Sequence, residues 1–210
     1  MLITFSGIVG SGKSTSSKYV RDFLVDQNLN PLYVRFRFLT WNWPKMKRKA
    51  IKKGRRSSNI KRQKREKPFR CEPMRRLGFL RFAGYAIRMV NFHLFHRFML
   101  NGHLVICDRF FYDNLVHYKL EGKAERIYFR ILTKFMPKAD LSFLMLADPE
   151  IIIQRRESYE PNYIRELHAK YTVMSDTFCD LQLMRTDDPR DVLDVIERQI
   201  RERLNGKLKG

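Results

Sequence analysis

Apolar and polar positions along the chain form alternating blocks of two kinds. Short, β-prone apolar runs predict five strands, at Leu2–Phe5, Leu32–Leu39, His103–Cys107, Leu141–Leu146 and Leu181–Met184. Longer stretches with helical apolar spacing predict helices at Ser14–Asp26, Met74–Leu100, Ala124–Met136, Pro149–Ser158, Pro161–Cys179 and Pro189–Leu204. Strands that alternate with helices indicate βαβ units, so we expect an α/β fold built on a parallel sheet.

The predicted helix at Met74–Leu100 is the most apolar of the six. Its apolar residues occur nearly all round the helix, which favours a long and largely buried helix, with a break near Gly84. Asn101-Gly102 follows as a stop signal.

Composition favours one domain spanning 1–210. A chain of 210 residues that is 44% hydrophobic can bury one full core. We see no long uncharged apolar run and no leader-like N-terminus, so we expect a cytoplasmic protein. Three scattered cysteines, Cys71, Cys107 and Cys179, predict free thiols.

Positive charge is concentrated in one segment. Residues 45–76 hold 16 Lys and Arg against two Glu, and therefore carry +14 of the formal net charge of +20. The wider stretch 41–76 is poor in apolar residues beyond Trp43, so we expect an excursion from the domain.

A glycine-rich loop joins the first predicted strand to the first predicted helix. Its sequence, Gly7-Ile8-Val9-Gly10-Ser11-Gly12-Lys13-Ser14, matches the pattern GxxxxGK(S/T) in the strand–loop–helix context that this motif requires. We therefore expect it to bind ATP, with the nucleotide held by Gly7, Gly10, Ser11, Gly12, Lys13, Ser14 and Thr15. Lys13 is the predicted partner of the β and γ phosphates, and the Ser14 hydroxyl is a predicted ligand of Mg²⁺. The alternative is a chance Gly/Ser-rich turn.

An acidic residue ends the third predicted strand. Ligands of open α/β sheets bind at the carboxyl ends of the strands, where Asp108 and Arg109 lie. Asp108 is thus the second predicted partner of Mg²⁺, either as a direct ligand or through a ligand that it holds, and Arg109 is a candidate to hold an acceptor phosphate. A helix cap or a surface ion pair is the alternative for this acid.

These pieces, taken in order, resemble the thymidylate kinases of the nucleoside-monophosphate kinase family. The resemblance covers most of the chain outside 41–77. It consists of the glycine-rich loop, Asp108-Arg109-Phe110, the run from Ala139 to Glu150, Gln154-Arg155-Arg156, the helix containing Tyr171, and Thr186-Asp187-Asp188-Pro189. It implies a three-layer P-loop fold, with a five-stranded parallel sheet between helices, and transfer of the ATP γ-phosphoryl group to a nucleoside monophosphate.

The resemblance also implies roles for particular residues. Arg109 would contact the acceptor phosphate, and Arg155 and Arg156 would be arginines of a lid at about 154–162, although arginines after Pro149 are also typical of a solvated helix. Residues near Asp188 resemble the loop that packs on adenine. Homodimers are common in the family, and the helix at 77–100 would form the interface.

Two departures leave the acceptor open. Val9 stands where the family usually has Asp or Glu, and the family's Arg-Glu-Pro-Gly stretch is replaced by residues 35–44. Arg35 and Arg37 share one strand face, and we prefer Arg37 for the acceptor phosphate because it lies nearer the strand's carboxyl end. The remaining candidates near the acceptor are Trp41 and Trp43, by stacking or as core cover, and Tyr112 and Asp113 as pocket residues. Asp113 is also a candidate proton acceptor if the acceptor is an alcohol. The acceptor is thus deoxythymidylate, another nucleotide, a nucleoside or a phosphorylated sugar.

The basic segment 45–76 supports an interpretation of another class. Dense Lys and Arg bind phosphate backbones, so an ATP-switched binder of nucleic acid or of an anionic membrane surface stays open beside simple steering of anionic substrates. A P-loop ATPase without an acceptor is disfavoured, because lid-like arginines suit water exclusion and transfer.

Overall fold

The structure is a computed structural model of the chain. It describes residues 1–35, 78–99, 102–117, 122–155, 159–187 and 189–208. By its contacts the chain divides into two compact units, one of Met1–Arg37, Gly102–His117 and Lys138–Gly210, and the other of Phe38–Asn101 and Tyr118–Pro137. The single domain spanning 1–210 stays a prediction.

A five-stranded parallel sheet forms the centre of the first unit. Its strands are β1 (Leu2–Gly7), β2 (Leu32–Arg35), β3 (Val105–Asp108), β4 (Leu141–Leu146) and β5 (Leu181–Arg185). They lie in the order β2-β3-β1-β4-β5, and each paired strand runs parallel to its neighbour. The predicted α/β fold is therefore confirmed.

Seven helices are present in the described ranges. They are α1 (Lys13–Asp26), α2 (Gly78–Met99), α3 (Tyr112–Leu115), α4 (Lys123–Lys134), α5 (Pro149–Arg155), α6 (Pro161–Thr177) and α7 (Pro189–Leu208). Within these ranges, no helix combines the length and the apolar content that crossing a membrane requires. The short helix α3 was not expected from the sequence, because four residues are too few to show a helical period.

Helices cover both faces of the sheet in the first unit. On one face, α1 and α7 enclose a buried core with β1, β3, β4 and β5, in which Phe5 stacks on Phe143 with ring centroids 5.4 Å apart. On the other face, α3 packs on β1, and α6 packs on β4 and β5. Because β1 and β3 are adjacent, the loops that follow them leave the sheet side by side at its carboxyl edge.

The second unit contains α2 and α4, which contact each other. α2 is continuous through Gly84, so the expected break is absent. The expectation of a largely buried helix also needs correction, because only one of the two apolar faces of α2 is buried. Met89, Phe92 and Phe95 are buried at a spacing of three, whereas a second set is exposed: Leu80, Ile87, Val90, Leu94 and Phe98.

The cysteines agree with their prediction where they are described. Cys107 in β3 and Cys179 after α6 are both free thiols, the first buried and the second exposed. Burial raises the pKa of the Cys107 thiol to about 12. Cys71 lies outside the described residues.

Candidate active site

The glycine-rich loop leaves β1 and turns directly into α1. Gly7, Gly10 and Gly12 all have positive φ angles, of 136°, 86° and 86°. α1 has no side-chain cap at Gly12 and no acidic residue in its first turn, so nothing on the helix itself neutralises its positive N-terminus. A glycine-rich loop with positive φ angles, followed by an uncapped helix N-terminus, is an arrangement that binds anions.

Gly7 is required by packing as well as by conformation. A β carbon at this position would lie 2.1 Å from the carbonyl oxygen of Met145, its neighbour on β4. At Gly12, in contrast, a β carbon would meet nothing within 4 Å. The first glycine therefore lets β1 and β4 approach, and the later glycine leaves the concave side of the loop open.

The side chain of Lys13 crosses the glycine-rich loop. Its ammonium group donates to the carbonyl oxygens of Gly7 at 2.7 Å and of Ile8 at 2.5 Å. Burial lowers the pKa of Lys13 to about 8, and the negative charge of Asp113 is the largest opposing influence. The loop thus carries a buried amine whose charge a bound anion would stabilise.

Ser14 and Asp108 meet where the loop and β3 end. The Ser14 hydroxyl donates to Asp108 Oδ2 at 2.9 Å. Asp108 is 1% exposed, and its other oxygen, Oδ1, has no hydrogen-bond partner among the described residues. The two residues that the sequence predicts for Mg²⁺ therefore lie in direct contact.

Their chemistry fits a magnesium ion. Mg²⁺ prefers oxygen ligands and is usually held by one or two carboxylates together with waters and phosphate oxygens. Here the Ser14 hydroxyl and the Asp108 carboxylate supply oxygens, and the buried Oδ1 of Asp108 has no hydrogen-bond partner among the described residues. In the described parts of the chain no group of three or more His, Cys, Asp or Glu side chains is arranged to hold a metal without such outside ligands.

Two residues of β2 complete the surroundings of Asp108. The Tyr33 hydroxyl donates to Asp108 Oδ2 at 3.0 Å and lies 3.1 Å from the Ser17 hydroxyl. Burial raises the pKa of Tyr33 to about 12, so it stays a donor. Arg35, which is aligned with Asp108 in the β2–β3 register, places Nε 3.5 Å from the same oxygen.

From the sequence, Arg35 and Arg37 were both candidates for the acceptor phosphate and Arg37 was preferred, whereas Tyr33 was not identified. Residue 37 lies outside the described residues, so the preference stays a prediction, whereas Arg35 is in contact with the site. Tyr33 and Arg35 are two residues apart on one strand face, and that period was the signal that could have found both.

Arg109 occupies a strained turn beside the loop. Its φ of 77° is uncommon for a residue with a side chain. Its backbone N–H donates to Phe5 at 2.9 Å, which ties the turn to β1. Such outliers persist where the surroundings enforce them and concentrate at functional sites.

Asp113 accepts three hydrogen bonds from within the protein. Its Oδ1 accepts from the Gly7 N–H and from the Tyr171 hydroxyl, and its Oδ2 accepts from the Phe110 N–H. Both oxygens are engaged within the protein, so the carboxylate braces the glycine-rich loop. Its role as a proton acceptor for an alcohol stays a prediction.

Tyr112 also lies apart from the loop. Its side chain is fully buried, and its hydroxyl donates to Asp180 Oδ2 at 3.0 Å. Asp180 directly precedes β5 and is therefore at the amino edge of the sheet, opposite the glycine-rich loop. This contact directs the Tyr112 hydroxyl away from the glycine-rich loop, and its role in binding the acceptor stays a prediction.

The remaining predicted residues are only partly described. Arg155 is exposed at the last position of α5. Arg156, Trp41 and Asp188 lie outside the described residues, as does all of 41–76. Next to Asp188, the Asp187 carboxylate accepts from the Asp148 N–H at 2.8 Å and so joins the segments after β4 and β5.

The sheet and the loop after its central strand define the α/β P-loop fold class. No family model and no curated protein matches the sequence. Among solved structures, the chain is similar to the crystal structure of thymidylate kinase from Ehrlichia chaffeensis, with a TM-score of 0.57 and 15% sequence identity. The match covers 95% of this chain and 98% of that one. At this identity the likeness shows the fold.

Proposed function

We propose that the chain is an ATP-dependent phosphotransferase that resembles thymidylate kinase and transfers the γ-phosphoryl group of ATP to a nucleoside monophosphate such as deoxythymidine monophosphate. The observation that carries the proposal is the contact between Ser14 and Asp108, next to the glycine-rich loop whose Gly7 carbonyl accepts from Lys13. A P-loop fold alone would be compatible with many activities.

The donor side follows from the glycine-rich loop. Its backbone amides and the N-terminus of α1 bind the phosphates, with Ser11 and Thr15 contributing hydroxyls; the Ser11 Oγ is buried without a partner in the described structure. When a triphosphate enters, Lys13 exchanges its carbonyl partners for phosphate oxygens and neutralises charge on the group that moves.

Mg²⁺ would be held by Ser14 and Asp108, and it would neutralise negative charge on the phosphates. Tyr33 keeps Asp108 in place by donating to Oδ2, the oxygen that also accepts from Ser14. The orphan oxygen Oδ1 remains available.

The acceptor side is built from arginines. Arg109 follows Asp108 directly, and Arg35 lies on the neighbouring strand with its side chain 42% exposed, which supports a role for both arginines in binding an anionic acceptor. An oxygen of the acceptor phosphate attacks the γ-phosphorus, the bond from that phosphorus to the bridging oxygen breaks, and ADP leaves. Arg155 and Arg156 are the proposed lid arginines, which would exclude water from this step.

A second candidate is a related kinase with another small acceptor. Val9 supports it, because this residue is apolar and lies in the turn of the glycine-rich loop where thymidylate kinases usually carry an acid. A nucleoside or a phosphorylated sugar then replaces the nucleotide acceptor. Binding of nucleic acid or an anionic membrane surface through 45–76 stays a prediction.

Two measurements test the function. Isothermal titration calorimetry should show Mg²⁺-dependent binding of ATP that Lys13→Ala weakens by about 100-fold, as loss of a charged hydrogen-bond donor to phosphate would do, whereas Lys18→Ala, which removes an exposed lysine of the same helix, leaves it unchanged. Incubation with Mg²⁺-ATP and a panel of acceptors should give deoxythymidine diphosphate faster than any other product. If the wild type does not bind Mg²⁺-ATP, or if Lys13→Ala binds it equally well, the kinase assignment is contradicted. Turnover of another acceptor, without turnover of deoxythymidine monophosphate, supports the second candidate.

A further inference from the structure

One buried carboxylate contacts three separate parts of the candidate site. Asp113, which is 7% exposed, accepts from the Gly7 N–H at 3.0 Å and the Tyr171 hydroxyl at 2.7 Å through Oδ1, and from the Phe110 N–H at 3.1 Å through Oδ2. These donors belong to the glycine-rich loop, to α6, and to the turn after Arg109. The three parts are far apart in sequence, and all three are joined by hydrogen bonds to this one carboxylate.

Two of the donors fix backbone turns that carry functional side chains. Gly7 is the point at which the chain leaves β1 and begins the loop around Lys13. Phe110 directly follows Arg109, whose positive φ is held on its other side by the bond from its own N–H to Phe5. Asp113 thus sets the start of the donor loop and the turn of the acceptor arginine at once.

We propose that Asp113 is a positioning residue: it fixes the glycine-rich loop relative to Arg109 and ties both to α6. The proposal rests on the proposed function, in which the glycine-rich loop binds ATP and Arg109 binds the acceptor phosphate. Transfer between two phosphates depends on their alignment, and small displacements of the groups that hold them reduce the rate strongly. Asp113 acts through Gly7 and Arg109 and touches neither substrate.

The chemistry requires a carboxylate at this position. Two backbone N–H groups and one hydroxyl converge on it, so the side chain must offer acceptors on both ends and no donor. Burial and the charge of Asp113 raise the pKa of Tyr171, which keeps its hydroxyl protonated as the third donor. Asparagine would present an NH₂ group to one of the two N–H groups and leave that pair unbonded.

The test compares Asp113→Asn with two variants that divide its contacts. Tyr171→Phe removes one donor and keeps the carboxylate. Asp180→Asn is the matched control, because Asp180 also accepts from a buried tyrosine, Tyr112, but at the opposite edge of the sheet. Each variant is measured by thermal unfolding and by calorimetric binding of Mg²⁺-ATP at a temperature well below its unfolding.

We expect Asp113→Asn to raise the Kd for Mg²⁺-ATP by about tenfold or more, as loss of a hydrogen bond to a buried charge would do. Tyr171→Phe should raise it by a smaller factor, and Asp180→Asn should leave it unchanged. If Asp113→Asn lowers the unfolding temperature but binds Mg²⁺-ATP like the wild type, Asp113 stabilises the fold only and the proposal is overturned. If Asp113→Asn does not fold, Tyr171→Phe decides: an unchanged Kd overturns the proposal.

A second measurement separates this proposal from the kinase assignment. Amide hydrogen exchange of the free protein, followed in peptides that cover Phe5–Ser14 and Arg109–Val116, reports the two turns without any nucleotide. Faster exchange in both peptides of Asp113→Asn, with the Phe5–Ser14 peptide unchanged in Asp180→Asn, supports the positioning role even if the wild type binds no ATP; the Arg109–Val116 peptide is not compared in the control, because it contains Tyr112, the partner of Asp180. Unchanged exchange in both peptides overturns it even if the wild type is an active kinase.

Discussion

At the scale of single residues, the site is a set of buried polar groups that hold one another in place. Asp108 accepts from Ser14 and Tyr33 through one oxygen, while Asp113 braces Gly7. Burial lowers the pKa of Lys13, and the negative charges of Asp113 and Asp108 oppose that shift. The lysine is therefore the residue whose protonation state should respond most to a bound phosphate.

We predict proton uptake when the nucleotide binds at alkaline pH. The pKa of Lys13 is about 8 in the free protein against 10.5 in its usual state, so between these values the folded chain holds fewer protons than the unfolded one and stability rises with pH. A bound triphosphate restores the charge. Calorimetry of Mg²⁺-ATP binding in buffers of different ionisation enthalpy should show uptake approaching one proton at about pH 9 and little at about pH 6.5.

The matched control is Lys18→Ala, which removes an exposed lysine of α1 and should keep the uptake. Uptake that is equally small at both pH values would contradict a neutralised Lys13.

Sequence reasoning identified some of these residues and missed the contacts of others. The motif predicts Lys13 and Ser14 because its spacing fixes their roles locally, and the strand end predicts Asp108. The bond between Asp113 and Gly7 joins residues 106 positions apart and depends on the turn of α3. No pattern in the sequence encodes that turn, so the contact between Asp113 and the glycine-rich loop was not predicted. Tyr33 was missed because its partner is on another strand.

At the scale of secondary-structure elements, the junction of β1 with the glycine-rich loop is the most tightly constrained point. Gly7 combines a φ of 136° with the close carbonyl of Met145, whereas Gly12 has a positive φ and open space. We predict that Gly7→Ala destabilises the protein by about 3 kcal/mol or more and Gly12→Ala by about 1–2 kcal/mol. Urea-induced unfolding without nucleotide measures both. Equal losses would mean that β4 can move away from β1.

Element boundaries were predicted best where the apolar run is sharply bounded. β4 was predicted at Leu141–Leu146, as observed, whereas the end of α7 was placed four residues early, at Leu204. The polar residues near the end of α7 carry no apolar signal, which explains the difference. For α2, apolar density predicted burial, but density cannot say what covers each face of a helix.

The exposed apolar face of α2 is relevant to the homodimer that the resemblance implies. Ile87 is 61% exposed and lies in line with Leu80 and Leu94 at intervals of seven residues. We predict that the wild type sediments as a dimer in analytical ultracentrifugation and that Ile87→Glu shifts it towards monomer, since a carboxylate in an apolar contact loses its hydration. Val173→Glu, at a valine of α6 that is 65% exposed, is the matched control and should leave the dimer intact. A monomeric wild type at all concentrations would contradict the homodimer.

At the scale of the whole molecule, the distribution of charge sets the field that a polyphosphate meets. The formal net charge is +20, and residues 45–76 carry +14 of it. A strongly positive protein attracts anionic substrates over a range set by the ionic strength, with a Debye length of about 10 Å at 0.1 M salt. Simple steering predicts that this attraction depends on the amount of positive charge in the segment and not on the order of its residues.

Replacing residues 47–67 by a Gly/Ser linker of equal length tests that prediction. The replacement removes twelve basic and one acidic residue, which lowers the formal net charge to +9. We expect kcat to be retained and the KM for Mg²⁺-ATP to rise several-fold at low salt, with the difference vanishing near 0.5 M salt, where the Debye length is about 4 Å. A linker of the same length that carries twelve evenly spaced lysines should restore the low KM. If KM is unchanged while salt-sensitive binding of RNA or anionic vesicles is lost, and the lysine linker does not restore that binding, the segment recognises a partner by its sequence and steering is excluded as its role.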